Sequence, residues 1–218
     1  AQLSNLAADL LSDSLDFTGY FKLLDRGAFL FDPDKDGVIA SEINFKNWTV
    51  INAEILITGS YELKDGQIGV ELRLFDAFKG KRVLGKRYTG KIEDHRRIIL
   101  RFCSEVITYL TGSKGVFDSK FAFISTSSGD KEIYTCDFDG QNPQRLTFNN
   151  AITLNPAWST DRKWIAYTSY KSDKPDLYIR NLNSNRENSI ARQGINITPD
   201  WVPGKFELAA TLSFSGDP

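Results

Sequence analysis

Three stretches of the chain repeat one another at a spacing of 43–44 residues, and this periodicity restricts the fold more than any other feature. Phe121-Ala122-Phe123-Ile124-Ser125 returns as Ile165-Ala166-Tyr167-Thr168-Ser169 and, more loosely, as Leu208-Ala209-Ala210-Thr211-Leu212. Ile133-Tyr134 returns as Leu177-Tyr178, Asp137-Phe138-Asp139-Gly140 as Asn181-Leu182-Asn183-Ser184, and Pro156-Ala157-Trp158 as Pro199-Asp200-Trp201. The anchors show no helical period, and units of roughly 40–50 residues built from short strands predict β-propeller blades. Pro156 then opens the innermost strand, where a missing N–H costs no ladder bond, and Trp158 fills the wedge between blades. Residues 164–167 form the second strand, 176–180 the third and 187–191 the fourth. Residues 119–218 supply about two and a half units, whereas propellers close with ~4–8 blades. The absence of methionine and the start Ala1-Gln2 fit the same expectation, a piece of a longer protein.

Residues 1–112 are patterned differently. Leu3, Leu6, Ala7, Leu10 and Leu11 recur at helical spacing, predicting a helix over 2–14, and a second is expected over 45–52. Residues 20–24, Tyr-Phe-Lys-Leu-Leu, read as a buried strand ending in the turn Asp25-Arg26-Gly27. From Glu54 the period becomes two, and Asp65-Gly66 between alternating runs is a hairpin signal. Two further runs, 67–78 and 82–92, complete an antiparallel meander. A last helix over 93–110 is expected to bury Ile98, Ile99, Phe102, Val106 and Leu110 and to stop at Gly112. The organisation is an α+β domain (1–112), a linker (113–118) and an all-β, incomplete propeller (119–218).

Charge and chemistry exclude several functions. Twenty-seven basic against twenty-eight acidic residues, with no long run of either sign, leave no nucleic-acid footprint. His95 is the single histidine, and Cys103 and Cys136 are too few and too far apart for a zinc ribbon. Both thiols read as buried and unpaired. Asp32, Asp34 and Asp36, followed by Gly37 and Ile39, imitate the first half of a calcium loop, but position twelve is Ile43 where a bidentate glutamate belongs. They are weak metal candidates against a solvated turn. No Gly-x-Ser-x-Gly elbow occurs, and no cofactor motif stands out. In a propeller, the loops at 127–131, 148–155, 170–175 and 193–198 share one face, and Asn150, Thr153, Asn155, Lys171 and Asp173 are its candidate partner-binding residues.

The order of parts resembles the TolB family of the Tol-Pal system of Gram-negative envelopes. The resemblance is carried by Ala7-Ala8-Asp9-Leu10, Leu24-Asp25-Arg26 and Ile55-Leu56-Ile57-Thr58-Gly59. Its most specific pieces are the junction Leu110-Thr111-Gly112-Ser113-Lys114-Gly115-Val116-Phe117 and the turn Pro156-Ala157-Trp158-Ser159-x-Asp161. The chain departs from the family's Ser-Pro-Asp-Gly turn at Thr160 and Arg162, and shortens it at Trp201-Val202-Pro203-Gly204. The resemblance implies a non-enzymatic periplasmic scaffold with a six-bladed propeller and a leading strand before Ala1. It also implies docking of the lipoprotein Pal at the propeller, contact with TolA through an amino-terminal tail, exploitation by some colicins, and membrane association only through such partners. The alternative is the propeller of a serine peptidase whose hydrolase domain lies beyond Pro218. The open propeller edge is expected to make the chain self-associate.

Overall fold

The computed structural model describes residues 2–30, 36–190 and 193–214. Two compact units emerge, Ala1–Asp118 and Ser119–Pro218.

The first unit begins with α1 (Gln2–Phe17) and contains a short α2 (Phe45–Thr49) capped by the Asn44 side chain. Its sheet has the order β1 (Ile55–Lys64), β2 (Gln67–Asp76), β3 (Lys81–Lys91), antiparallel throughout. The β1–β2 turn is Asp65-Gly66, both residues left-handed at φ 52° and 75°, so its twist matches that of the strands. β2 is central and carries the core, with Leu74 and Phe75 fully buried. Phe75 packs with Trp48, Ala53, Leu56 and Ala77. The helix α3 (His95–Thr111) packs on β2, β3 and α1, buries Ile98, Ile99, Phe102, Cys103, Val106 and Ile107, and ends at left-handed Gly112.

Three expectations for this unit need correction. Leu110 is 43% exposed, because Cys103 and Ile107 occupy the buried stripe and the last turn leaves it. The second helix stops at Thr49, where the chain turns through left-handed Asn52 and the Ala53 N–H returns to the Trp48 carbonyl. Residues 20–24 form no β-ladder among the described residues, with Tyr20 68% and Leu23 44% exposed. Backbone groups settle into a strand only where a neighbour pairs with them, and here a groove of about 1380 Å³, lined by Leu15, Tyr20, Leu24, Leu56, Tyr61 and Ile99 among others, runs beside the segment.

The second unit consists of antiparallel sheets that repeat. One holds β4 (Lys120–Ser128), β5 (Asp130–Asp137) and β6 (Gln144–Arg145). The next is a complete four-stranded blade, β7 (Thr153–Trp158), β8 (Trp164–Ser169), β9 (Asp176–Asn181) and β10 (Glu187–Ser189), in spatial order β10-β9-β8-β7. The third pairs β11 (Ile195–Trp201) with β12 (Leu208–Ser213). The repeats seen in sequence are therefore equivalent strands: β4, β8 and β12 are second strands, β5 and β9 third strands, β7 and β11 first strands. The first blade has no counterpart of β7 among the described residues, since the positions 44 earlier lie at the end of α3. Fully buried Ile133, Ile165 and Tyr167 form the blade core with Tyr178, and Trp158 packs against them.

The turn that carries Thr160 and Arg162 is closed by side-chain hydrogen bonds. The Ser159 hydroxyl donates to Asp161 Oδ1 at 2.6 Å and accepts the Trp164 N–H at 2.9 Å, while Arg162 takes the left-handed place at φ 59°.

Candidate functional site

The connections β6–β7 and β8–β9 come together at one end of the propeller unit. The Tyr170 N–H donates to the Ile152 carbonyl at 2.9 Å, and the Asn149 amide donates to the hydroxyls of Thr153 and Ser169 at 3.1 and 3.2 Å. Lys171 Nζ reaches Asn149 Oδ1 at 3.4 Å. The β10–β11 connection joins the same end, where Lys174 Nζ donates to the Gly194 carbonyl at 2.9 Å.

Within this cluster the expected contact residues take different places. Asn150 is exposed in a left-handed conformation, and its N–H is held by Glu132 Oε1 at 2.9 Å. Asp173 is exposed, also left-handed. Asn155 is exposed further along, at a bulge in β7. Thr153 is fully buried, so it anchors the loop and offers no surface to a partner, which corrects the expectation for that side chain. Lys171 is half-buried: its ammonium lies 4.0 Å from the Tyr178 ring centroid and pairs with Glu187, which also accepts from the Tyr167 hydroxyl. Burial, followed by the Glu187 hydrogen bond, pushes the Tyr167 phenol well above its ordinary value.

The exposed apolar side chains at this end were not singled out in the sequence. Phe148 is 62%, Ile152 45% and Tyr170 38% exposed, and the Arg145 guanidinium lies 4.5 Å from the Phe148 ring centroid. Their signal is apolar character inside otherwise polar connections.

The remaining candidates stand apart. Asp32 and Asp34 lie outside the described residues, and Asp36 is half-buried. Among the described residues no three His, Cys, Asp or Glu side chains are arranged to hold a metal ion. His95 is half-buried at the start of α3, with Nδ1 2.9 Å from the Ile92 carbonyl. Cys103 and Cys136 are buried and free, and burial pushes the Cys103 thiol up to about 12. Among the described residues no helix is long and apolar enough to cross a membrane.

Residues 107–218 match the family model described as the TolB beta propeller domain, and residues 1–83 match the TolB amino-terminal domain. The chain belongs to the TolB family. It is 57% identical over 210 residues to the Tol-Pal system protein TolB of Desulfosudis oleivorans, covering 96% of this chain and 48% of that protein. A protein TolB homolog from Chlorobaculum tepidum is 38% identical, with coverage of 95% and 46%. The chain thus spans about half the length of these TolB relatives. The crystal structure of TolB from Acinetobacter baumannii superposes with a TM-score of 0.84 at 21% identity, covering 97% of this chain and 53% of that one, which shows a shared fold.

Proposed function

We propose that the chain is part of a non-enzymatic Tol-Pal scaffold that works in the periplasm and docks protein partners at the loop end of its blades. The observation that carries this reading is the joined pair of connections around residues 148–152 and 170–175. The Tyr170 N–H bond to the Ile152 carbonyl and the side-chain bonds that Asn149 makes with Ser169 and Lys171 tie them together, while Phe148, Ile152 and Tyr170 remain open to solvent. Interface energy concentrates in a few anchors with aromatics prominent among them, and a pre-ordered loop loses little entropy when it binds. The polar candidates then take lesser parts: Asn150, Asn155 and Asp173 as rim contacts, Lys171 and Thr153 as supports.

The relatives' names supply the partner class, so the lipoprotein Pal is the expected occupant of this end. Contact with TolA and use by colicins belong to the same reading, but no residue of this chain is assigned to either. Calorimetric titration of the source organism's soluble Pal domain into the full-length parent and into this chain tests the proposal. Binding to both is expected, weakened about 30-fold by Tyr170→Ala or Phe148→Ala if each is an anchor of ~2 kcal/mol. Binding to neither sinks the docking assignment and reopens the serine-peptidase alternative. Binding to the parent alone moves the contact to other blades.

A further inference from the structure

Two buried carboxylates occupy equivalent places in successive blades. Glu132 in β5 and Asp176 in β9 are 44 residues apart, each directly before its Ile133-Tyr134 or Leu177-Tyr178 anchor, and they are 0% and 3% exposed. Burying a carboxylate is costly unless charge and hydrogen bonds compensate it. Both are compensated, by groups that reach into the segment leading to the next blade.

Glu132 accepts from Arg145 Nη2 at 3.1 Å, from the Thr147 hydroxyl, and from the Asn150 N–H at 2.9 Å. The Thr147 oxygen in turn accepts the Ile133 N–H at 2.9 Å, and Arg145 Nε donates to the Thr147 carbonyl at 2.8 Å. The β6–β7 connection is therefore gripped on both sides of Phe148. Asp176 Oδ1 accepts from Lys174 Nζ at 2.8 Å and from the Asn196 amide at 2.9 Å. The Lys174 ammonium also holds the Gly194 carbonyl, and the Asn196 N–H donates to the Pro175 carbonyl at 3.2 Å. Gly194 passes so close to the next blade that an added Cβ would lie 1.9 Å from the Ser213 carbonyl oxygen. Residue types and donors differ between the blades, whereas the bridge from the third strand to the segment leading into the next blade is common to both.

We infer that Glu132 and Asp176 are positioning residues, each fixing the inter-blade connection that its blade presents at the docking end. The consequence for binding rests on the docking reading above; the positioning itself does not. Amide hydrogen exchange resolved by residue in this chain tests it, with Ile133→Val, a core change in the same strand, as the control for general loss of stability. Glu132→Ala should speed exchange of the amides at 148–152 by about tenfold or more beyond that control and leave 193–196 unchanged. Asp176→Ala should do the converse. Glu132→Gln and Asp176→Asn, which keep an acceptor oxygen but lose the charge paired with Arg145 and Lys174, should give a smaller acceleration, about threefold beyond the control and confined to the same segments, and they carry the test should the alanine variants fail to fold. Acceleration spread evenly over the unit, or none in the connections, overturns the inference. Affinity of the full-length variants for the soluble Pal domain separates the two readings. Released loops with unchanged affinity leave the positioning role standing and refute the docking assignment, whereas protected loops with reduced affinity overturn the positioning role.

Discussion

The innermost strands β7 and β11 carry the same irregularity with different residues, which allows a reciprocal exchange. The ladder slips between Leu154 and Ala157 in β7 and between Ile197 and Asp200 in β11. Within each slip one residue is left-handed, Asn155 at φ 53° and Thr198 at φ 52°. Asparagine visits this region readily, whereas a β-branched residue there is a true outlier, and the left-handed backbone costs an ordinary L-residue ~1–2 kcal/mol. Thr198 recovers little of it: its hydroxyl donates to Thr211 Oγ1 at 2.9 Å at an exposed site, worth ~0.5 kcal/mol net. Its N–H bond to Thr168 Oγ1 at 3.1 Å survives any substitution short of proline. The difference makes Thr198→Asn stabilising by about 1 kcal/mol and Asn155→Thr destabilising by a similar amount. For a unit of about 100 residues this is a shift of ~4–8 °C in Tm, upward for the first and downward for the second. Calorimetry reads it directly, and urea unfolding followed by tryptophan emission gives an independent value, since Trp158 and Trp201 end the two strands. Shifts of the same sign, or none beyond about 1 °C on the ~1 kcal/mol scale, would refute the reasoning.

Two further outcomes follow from the same unit. Asp161 is held below the ordinary carboxylate value of 3.8, first by the Ser159 hydroxyl and then by the Lys163 N–H. A depressed folded value means that its contribution is complete above 3.8 and is lost as pH falls through the folded midpoint, so Ser159→Ala should move the Asp161 carboxyl titration, followed by NMR, up toward 3.8. Among the described residues β4 is an edge strand of its sheet, and its Phe121, Phe123 and Ile124 are exposed, the arrangement that invites edge-to-edge pairing. Self-association is therefore expected in sedimentation velocity, and Phe121→Lys should shift the chain toward monomer; a wild-type chain that stays monomeric at high concentration contradicts this.

The fold was legible wherever a local rule and a long-range rule agreed. Asp65-Gly66 sits between two alternating runs, and the structure makes it a left-handed two-residue turn. The 44-residue anchors recur because equivalent strands meet equivalent neighbours. Residues 20–24 misled because an apolar run states that burial is favourable but does not supply the strand that would pair with it. Leu110 misled for a related reason: helical spacing defines a stripe, and only the packed partner decides where the stripe ends. At the loop end, composition could not distinguish a solvated polar side chain from one already engaged. Lys171 and Thr153 are engaged internally, while Phe148 and Tyr170 face water. The acids at 132 and 176 stand at the repeat spacing, but a Glu and an Asp with unlike partners form no visible motif until their burial is seen.

Each seam between blades needs restraint at more than one level, because two sheets joined at a single point can splay. Between the second and third blades the Trp201 Nε1–H donates to the Ala157 carbonyl at 3.1 Å, and the Gly204 N–H donates to Thr160 Oγ1 at 3.0 Å; each pair is 44 residues apart. Phe206 lies between Trp164 and Trp201, with ring centroids 5.5 and 5.0 Å away. These contacts secure the end bearing the Ser159 turn. Midway, the Thr198 N–H reaches Thr168, and at the opposite end Asp176 and Lys174 hold Asn196 and Gly194. Indole packing alone would fix the spacing of the sheets and leave the connections at the far end free to swing. The buried carboxylates add the missing restraint at the end where exposed aromatic side chains stand. This division assigns sheet spacing to the tryptophan end and loop geometry to the acidic end. It follows that changing Phe148 or Tyr170 should alter binding with little effect on stability, whereas changing Glu132 should alter both.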